Sequence, residues 1–99
     1  MEKIVIIWDT YAEEKLMDLY HYIAEKSIIQ ADNVLNAIFE TTESLEGNPE
    51  KFPLDRFKTK NDNSYRAFEM YNIRISYRFI NNKILILRVR HVKQNPLFY

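Results

Sequence analysis

The chain has 99 residues, 46% hydrophobic and 28% charged, a length and balance that suit one globular domain and are too small for two cores. It has no cysteine, which removes disulfide scaffolds, thiol nucleophiles and thiolate metal sites together and is compatible with a reducing, cytoplasmic home. A net charge of zero hides a division: residues 1–50 carry three Lys against eleven Asp and Glu (−8), and residues 51–99 carry eleven Lys and Arg against three acids (+8).

That asymmetry points to a polyanionic partner for the basic half, or to attraction between the two halves across the fold. No apolar run approaches the roughly eighteen residues of a membrane span, so no membrane partner is expected. The start also lacks the basic flank and cleavage site of a secretory signal.

Lys3 to Trp8 is a β-branched run and predicts a first strand, apolar enough to be central and covered on both faces, or partly so. Asp9-Thr10 breaks it, and Thr10 with Glu13 fits a capping box that opens a helix running to about Lys26. Ala12, Leu16, Leu19 and Ile23 form its core stripe. Ser27 with Gln30 opens a second helix to about Leu45, with Ala31, Val34, Leu35, Ile38 and Leu45 inward and Gly47 and Pro49 as stop signals. So short a connection predicts an antiparallel helical hairpin.

Residues 48–63 form the longest irregular segment, either a functional loop or a plain crossing to the sheet. Strands follow at Tyr65–Tyr71, Ile73–Ile80 and Lys83–His91, with Asn81-Asn82 as a two-residue hairpin turn. In the second of these, Ile73, Ile75, Tyr77 and Phe79 alternate with Arg74, Ser76 and Arg78, as a half-buried strand requires. In the last, Leu85, Leu87 and Val89 share one face, and Ile84, Ile86, Arg88 and Arg90 the other. The expected order is βααβββ, an α+β fold in which a helical hairpin packs on a small antiparallel sheet. Arg74, Arg78, Arg88 and Arg90 then share the face away from the helices.

Such an arginine face suits contact with an anion, and the seven tyrosines could stack on bases or serve as core residues with wet hydroxyls. His91, flanked by Arg90 and Lys93, is a candidate base, though a structural histidine bonding the C-terminal segment is favoured. His21, between Tyr20 and Tyr22, is structural. Neither histidine stands at ligand spacing, so no metal and no cofactor are expected.

Taken together, W-D-T-Y-A-E-E-K-L at 8–16, Y-I-A at 22–24, L-E-G-N-P at 45–49, Y-R at 65–66, I-R-I-S-Y-R at 73–78 and R-V-R-H-V-K-Q-N-P at 88–96 cover nearly the whole chain. With the element order, they resemble the RelE/ParE superfamily of toxins from bacterial type II toxin–antitoxin systems. The resemblance implies a plasmid-stabilisation or growth-inhibition role, a cognate antitoxin that wraps the toxin in a hetero-oligomer, and one of two targets. ParE-like members block DNA gyrase, whereas RelE-like members cleave messenger RNA on the ribosome. The H-V-K-Q-N-P ending and the Y-I-A helix lean toward ParE.

If the chain is RelE-like, the resemblance implies a catalytic set of Arg66, Arg74, Arg90 and His91, with Arg78, Arg88, Lys93 and Tyr99 contacting an anion or target. The strand-two lysine pair of RelE-like members is missing, because Phe68 holds its second place. A non-enzymatic nucleic-acid-binding module and a degenerate toxin stay open as further readings.

Overall fold

A computed structural model describes residues 3–94 and 97–99. The elements are β1 (Val5–Trp8), α1 (Thr10–Ala24), α2 (Ile28–Ser44), β2 (Tyr65–Met70), β3 (Ile73–Ile80) and β4 (Lys83–His91). The order is βααβββ, and the two helices lie on one face of a four-stranded sheet. Strands β2, β3 and β4 form an antiparallel meander, and β1 joins β4 in parallel to give the spatial order β1-β4-β3-β2. Among the described residues, no helix is long and apolar enough to cross a membrane.

Strand β1 is therefore an edge strand, where the sequence suggested a central one. The helices cover only its Ile6 and Trp8 side, and Trp8 meets Phe39 of α2 edge-on at 5.5 Å. Val5 and Ile7 point to the uncovered face and stay 48% and 42% exposed. The cap of α1 also differs from expectation. Asp9 Oδ2, not Thr10, accepts from an early amide, that of Tyr11, at 3.0 Å. Asp9 is held extended at the strand end by its amide bond to the Ile86 carbonyl (2.9 Å), so the cap falls on it and Thr10 becomes the first helical residue. Ser27 caps α2 as expected, accepting from Gln30 N at 3.1 Å.

The core is built from Leu16, Ile38, Leu45, Ile73, Ile75, Tyr77, Ile84 and Ile86, each at most 2% exposed. Tyr77 is buried because its hydroxyl donates to the Pro49 carbonyl at 2.8 Å, which leaves no orphaned polar group. Both tight turns of the meander use consecutive left-handed residues, Tyr71-Asn72 (φ 51° and 62°) and Asn81-Asn82 (φ 52° and 58°), the geometry that matches strand twist.

Strand β4 corrects the expected face assignment. Ser76 pairs with Arg88 but Tyr77 pairs with Ile86, so Leu87 is an extra residue. A strict alternation would have buried either Leu85, Leu87 and Val89, or Ile84 and Ile86 along with two arginines. The bulge resets the phase, and Ile84, Ile86 and Val89 all turn inward while Arg88 and Arg90 stay on the far face.

Candidate functional site

The far face of the sheet carries the arginines in adjoining rows. Arg74 lies directly opposite Arg90, Ser76 opposite Arg88, and Arg78 opposite Tyr65 on β2. Like charges placed opposite one another in a sheet repel, so the arrangement needs compensation. The irregular segment after α2 supplies it. Pro53 and Asp55 hydrogen-bond to β2 through Ala67 N→Pro53 O (3.2 Å) and Asp55 N→Tyr65 O (2.9 Å), and the chain then rolls over the arginines.

Asp55, 2% exposed, is the centre of the cover. It accepts from Arg74 Nη2 at 2.8 Å, from the Tyr99 hydroxyl at 2.6 Å and from Phe57 N at 3.0 Å. Burial pushes its carboxyl up, but the bonds from Tyr99, Arg74, the Phe57 amide and Ser76 outweigh that and hold it below the usual carboxylate range. Arg74 donates its other Nη to Glu69 at 2.7 Å. Burial works against the Arg74 charge, yet the two carboxylates hold it above the ordinary guanidinium value. Tyr99 is pushed up by burial and by its bond to Asp55.

Aromatic rings complete the cover. Phe57 has the guanidiniums of Arg56, Arg74 and Arg90 at 4.8, 4.8 and 5.0 Å from its centroid, Tyr99 has Arg88 at 4.4 Å, and Tyr65 has Arg78 at 4.8 Å. Residues 97–99 are tied down over this face. Tyr99 N donates to Phe57 O (3.1 Å), Thr59 N to Tyr99 O (2.6 Å) and Arg88 Nη1 to Leu97 O (2.9 Å). Arg78 donates to Ser64 Oγ at 2.9 Å and to Asp62 at 3.3 Å.

The eight candidate residues divide across the sheet. Arg74, Arg78, Arg88, Arg90 and Tyr99 lie together on the far face. Arg66 is on the helix side, opposite Tyr77, where Nη1 donates to Phe52 O (2.7 Å) and the guanidinium sits 3.8 Å from Glu50. His91 is on the helix side too, in register with Ile73, and its Nδ1 accepts from Lys93 N at 3.1 Å. By strand rise and spacing, Arg66 and His91 are about 16 Å apart. Lys93 lies exposed beyond β4. Phe68 is buried and stacks on Phe52 at 4.6 Å.

Asp55, Phe57 and Glu69 entered the sequence reading only as charge or composition. The available signal was an acid, Asp55, set among Pro53, Leu54 and Phe57 in an otherwise basic half. Among the described residues, no His, Asp and Glu cluster could hold a metal ion.

The sequence profile described as the ParE toxin of the type II toxin–antitoxin system parDE matches residues 6–96. The chain belongs to the ParE toxin family. No curated protein matches this toxin in sequence. In structure it is similar to a chain of the chromosomal ParDE TA system from P. aeruginosa, with a TM-score of 0.70, 19% identity, and coverage of 92% of this chain and 98% of that one. It is also similar to a chain of the RelBE2 toxin–antitoxin complex from Mycobacterium tuberculosis, with a TM-score of 0.63, 22% identity, and coverage of 92% and 93%. Those two likenesses establish the shared fold; the family rests on the profile.

Proposed function

We propose that this toxin arrests growth by blocking DNA gyrase, without cutting RNA, and that a cognate antitoxin neutralises it in the cytoplasm. The observation that carries the reading is the division of the cleavage candidates. RNA cleavage needs a base, a cation for the developing phosphorane charge and an acid around one phosphate. Here Arg66 and His91 lie on one side of the sheet and Arg74 and Arg90 on the other. Arg74, the strand-three candidate, is 8% exposed and already held by two carboxylates. A protein that acts by binding needs no such convergence.

The antitoxin part of the proposal has support in the surface. A cleft of about 290 Å³ opens between the helical hairpin and the sheet, lined by Leu19, Tyr22, Ile23, Val34, Tyr71 and His91 among others. Tyr22 and Tyr71 are 62% and 53% exposed there, and both solved neighbours come from toxin–antitoxin systems. A segment that folds on binding suits such a cleft, trading ordering entropy for contact area.

The test pairs two measurements. Purified toxin should inhibit supercoiling by gyrase, and induction in cells should arrest growth with no new messenger-RNA 5′ ends, relieved by the product of an adjacent small gene. Cuts within codons with gyrase unaffected would replace this reading with the RelE-like one. Salt-dependent nucleic-acid binding with neither effect would leave the non-enzymatic module, and harmless expression of folded protein a degenerate toxin.

A further inference from the structure

A second cleft, of about 160 Å³, lies between α1 and β4, with Gln94 and Leu97 also in its wall. Its lining is Tyr11, Lys15, Arg88, Val89, Arg90, Gln94 and Leu97, which brings together three cations and no carboxylate. The other three strand arginines are ion-paired: Arg66 with Glu50, Arg74 with Asp55 and Glu69, Arg78 with Asp62. Among the described residues, Lys15, Arg88 and Arg90 make no ion pair.

Their donors are also largely unspent. Arg88 donates from Nη1 to Leu97 O, and Arg90 donates from Nη1 to Gln94 O (3.2 Å) and, less well, to His91 O (3.4 Å). Each guanidinium has five N–H groups, so both forks retain donors for a further acceptor. The two acids that act on Arg90, Glu69 and Asp55, are already engaged with Arg74. Arg90 is held below the ordinary guanidinium value by burial and by repulsion from Arg74 and Arg88, which together outweigh the attraction of Glu69 and Asp55.

We propose that this cleft is a binding site for a dianionic phosphate, a phosphate monoester or terminal phosphate gripped by Lys15, Arg88 and Arg90. Two guanidinium forks match the geometry of phosphate oxygens, and the lysine adds a point charge. A monoester carries nearly two negative charges near neutral pH, against one on a backbone diester, so it better balances three cations. At about 160 Å³ the cleft has room for a phosphate group and part of what bears it. The rings and methyls at the rim, Tyr11 (60% exposed) and Leu97 (68% exposed), offer an apolar surface to that remainder. This inference is independent of whether gyrase is the toxin's target.

The experiment is a calorimetric titration of the full chain at pH 8 with inorganic phosphate, against potassium chloride of matched ionic strength. Adenosine 5′-monophosphate and single-stranded oligonucleotides with and without a 5′-phosphate serve as further probes. Saturable phosphate binding is expected, weakened roughly tenfold or more by Lys15→Gln, which removes one charge-assisted bond. Lys15→Glu should abolish it, and Lys26→Gln, beyond the end of α1, should leave it unchanged. Tighter binding of the 5′-phosphorylated oligonucleotide than of the monophosphate assigns the site to a nucleic-acid end; the reverse assigns it to a small phosphorylated molecule. No saturable binding over chloride, or full binding by Lys15→Gln, would each overturn the proposal. Lys15 is half-buried in the cleft wall, so thermal unfolding of each variant is measured alongside, and lost binding with unchanged unfolding reports on the cleft.

Discussion

Replacing Asp55 with Asn tests whether the cover over the arginine face is held by charge. The amide keeps the volume and can still accept from Arg74 and Phe57 through one oxygen, while Tyr99 can rotate its hydroxyl to accept from the new NH2. What it removes is the negative charge beside Arg74, in a pair whose side chains are 1% and 9% exposed. Removing one partner of a buried ion pair costs about 3–5 kcal/mol. Glu69 still faces Arg74 from a 42% exposed position and offsets part of this, so we expect about 3 kcal/mol. For a chain of this length that lowers Tm by roughly 12–24 °C.

The assay is urea unfolding of both proteins across pH. Asp55 has a lowered folded-state pKa, so its charge contributes in full above the unfolded carboxylate value of about 3.9 and ceases to contribute as pH falls through the lower folded value. The gap between wild type and Asp55→Asn should therefore be widest at pH 7 and narrow below about pH 4. A gap under about 1 kcal/mol at pH 7, or one that fails to shrink in acid, would refute the assignment of Asp55 as the charged anchor.

Other substitutions probe the same frame. Glu69→Gln should cost less than about 1 kcal/mol in the same urea assay, because its carboxylate is half in water. Tyr99→Phe removes a donor from buried Asp55 and should cost about 1–2 kcal/mol, read by thermal unfolding. Tyr77→Phe should cost about 1 kcal/mol by leaving the Pro49 carbonyl without its partner. Tyr71→Asn should raise stability by about 0.5–1 kcal/mol, since asparagine tolerates the left-handed backbone at φ 51° better than a bulky ring. If the cleft between hairpin and sheet receives the antitoxin, the same change should weaken that complex in a direct binding assay.

Much of the local structure was legible in the sequence because its causes are local. Ser27 three residues before Gln30 suffices for a cap, Asn81-Asn82 for a tight turn, and the alternation of Ile73, Ile75 and Tyr77 with Arg74 and Arg78 for a half-buried strand. The helix stripes follow from a 3.6-residue period that needs no partner to be read. The candidate site was legible only as a roster of cations: placing Arg74, Arg78, Arg88 and Arg90 on one face held, while Arg66 and His91 fell on the other.

What the tertiary structure alone decided depends on contacts between distant parts of the chain. The sequence determined that the basic half would form a sheet with arginines on the side away from the helices. It could not show that Leu87 bulges, because the extra residue is defined only by the partner strand. Nor could it show that Val5–Trp8 lies at an edge, since pairing with β4 is a long-range choice. Above all, the fate of the arginines was settled by residues 55–59 and 97–99 folding over them. A guanidinium is a free anion site or a structural cation according to the carboxylate it meets: Asp55 reaches Arg74 from 19 positions away, while among the described residues Arg88, Arg90 and Lys15 make no ion pair.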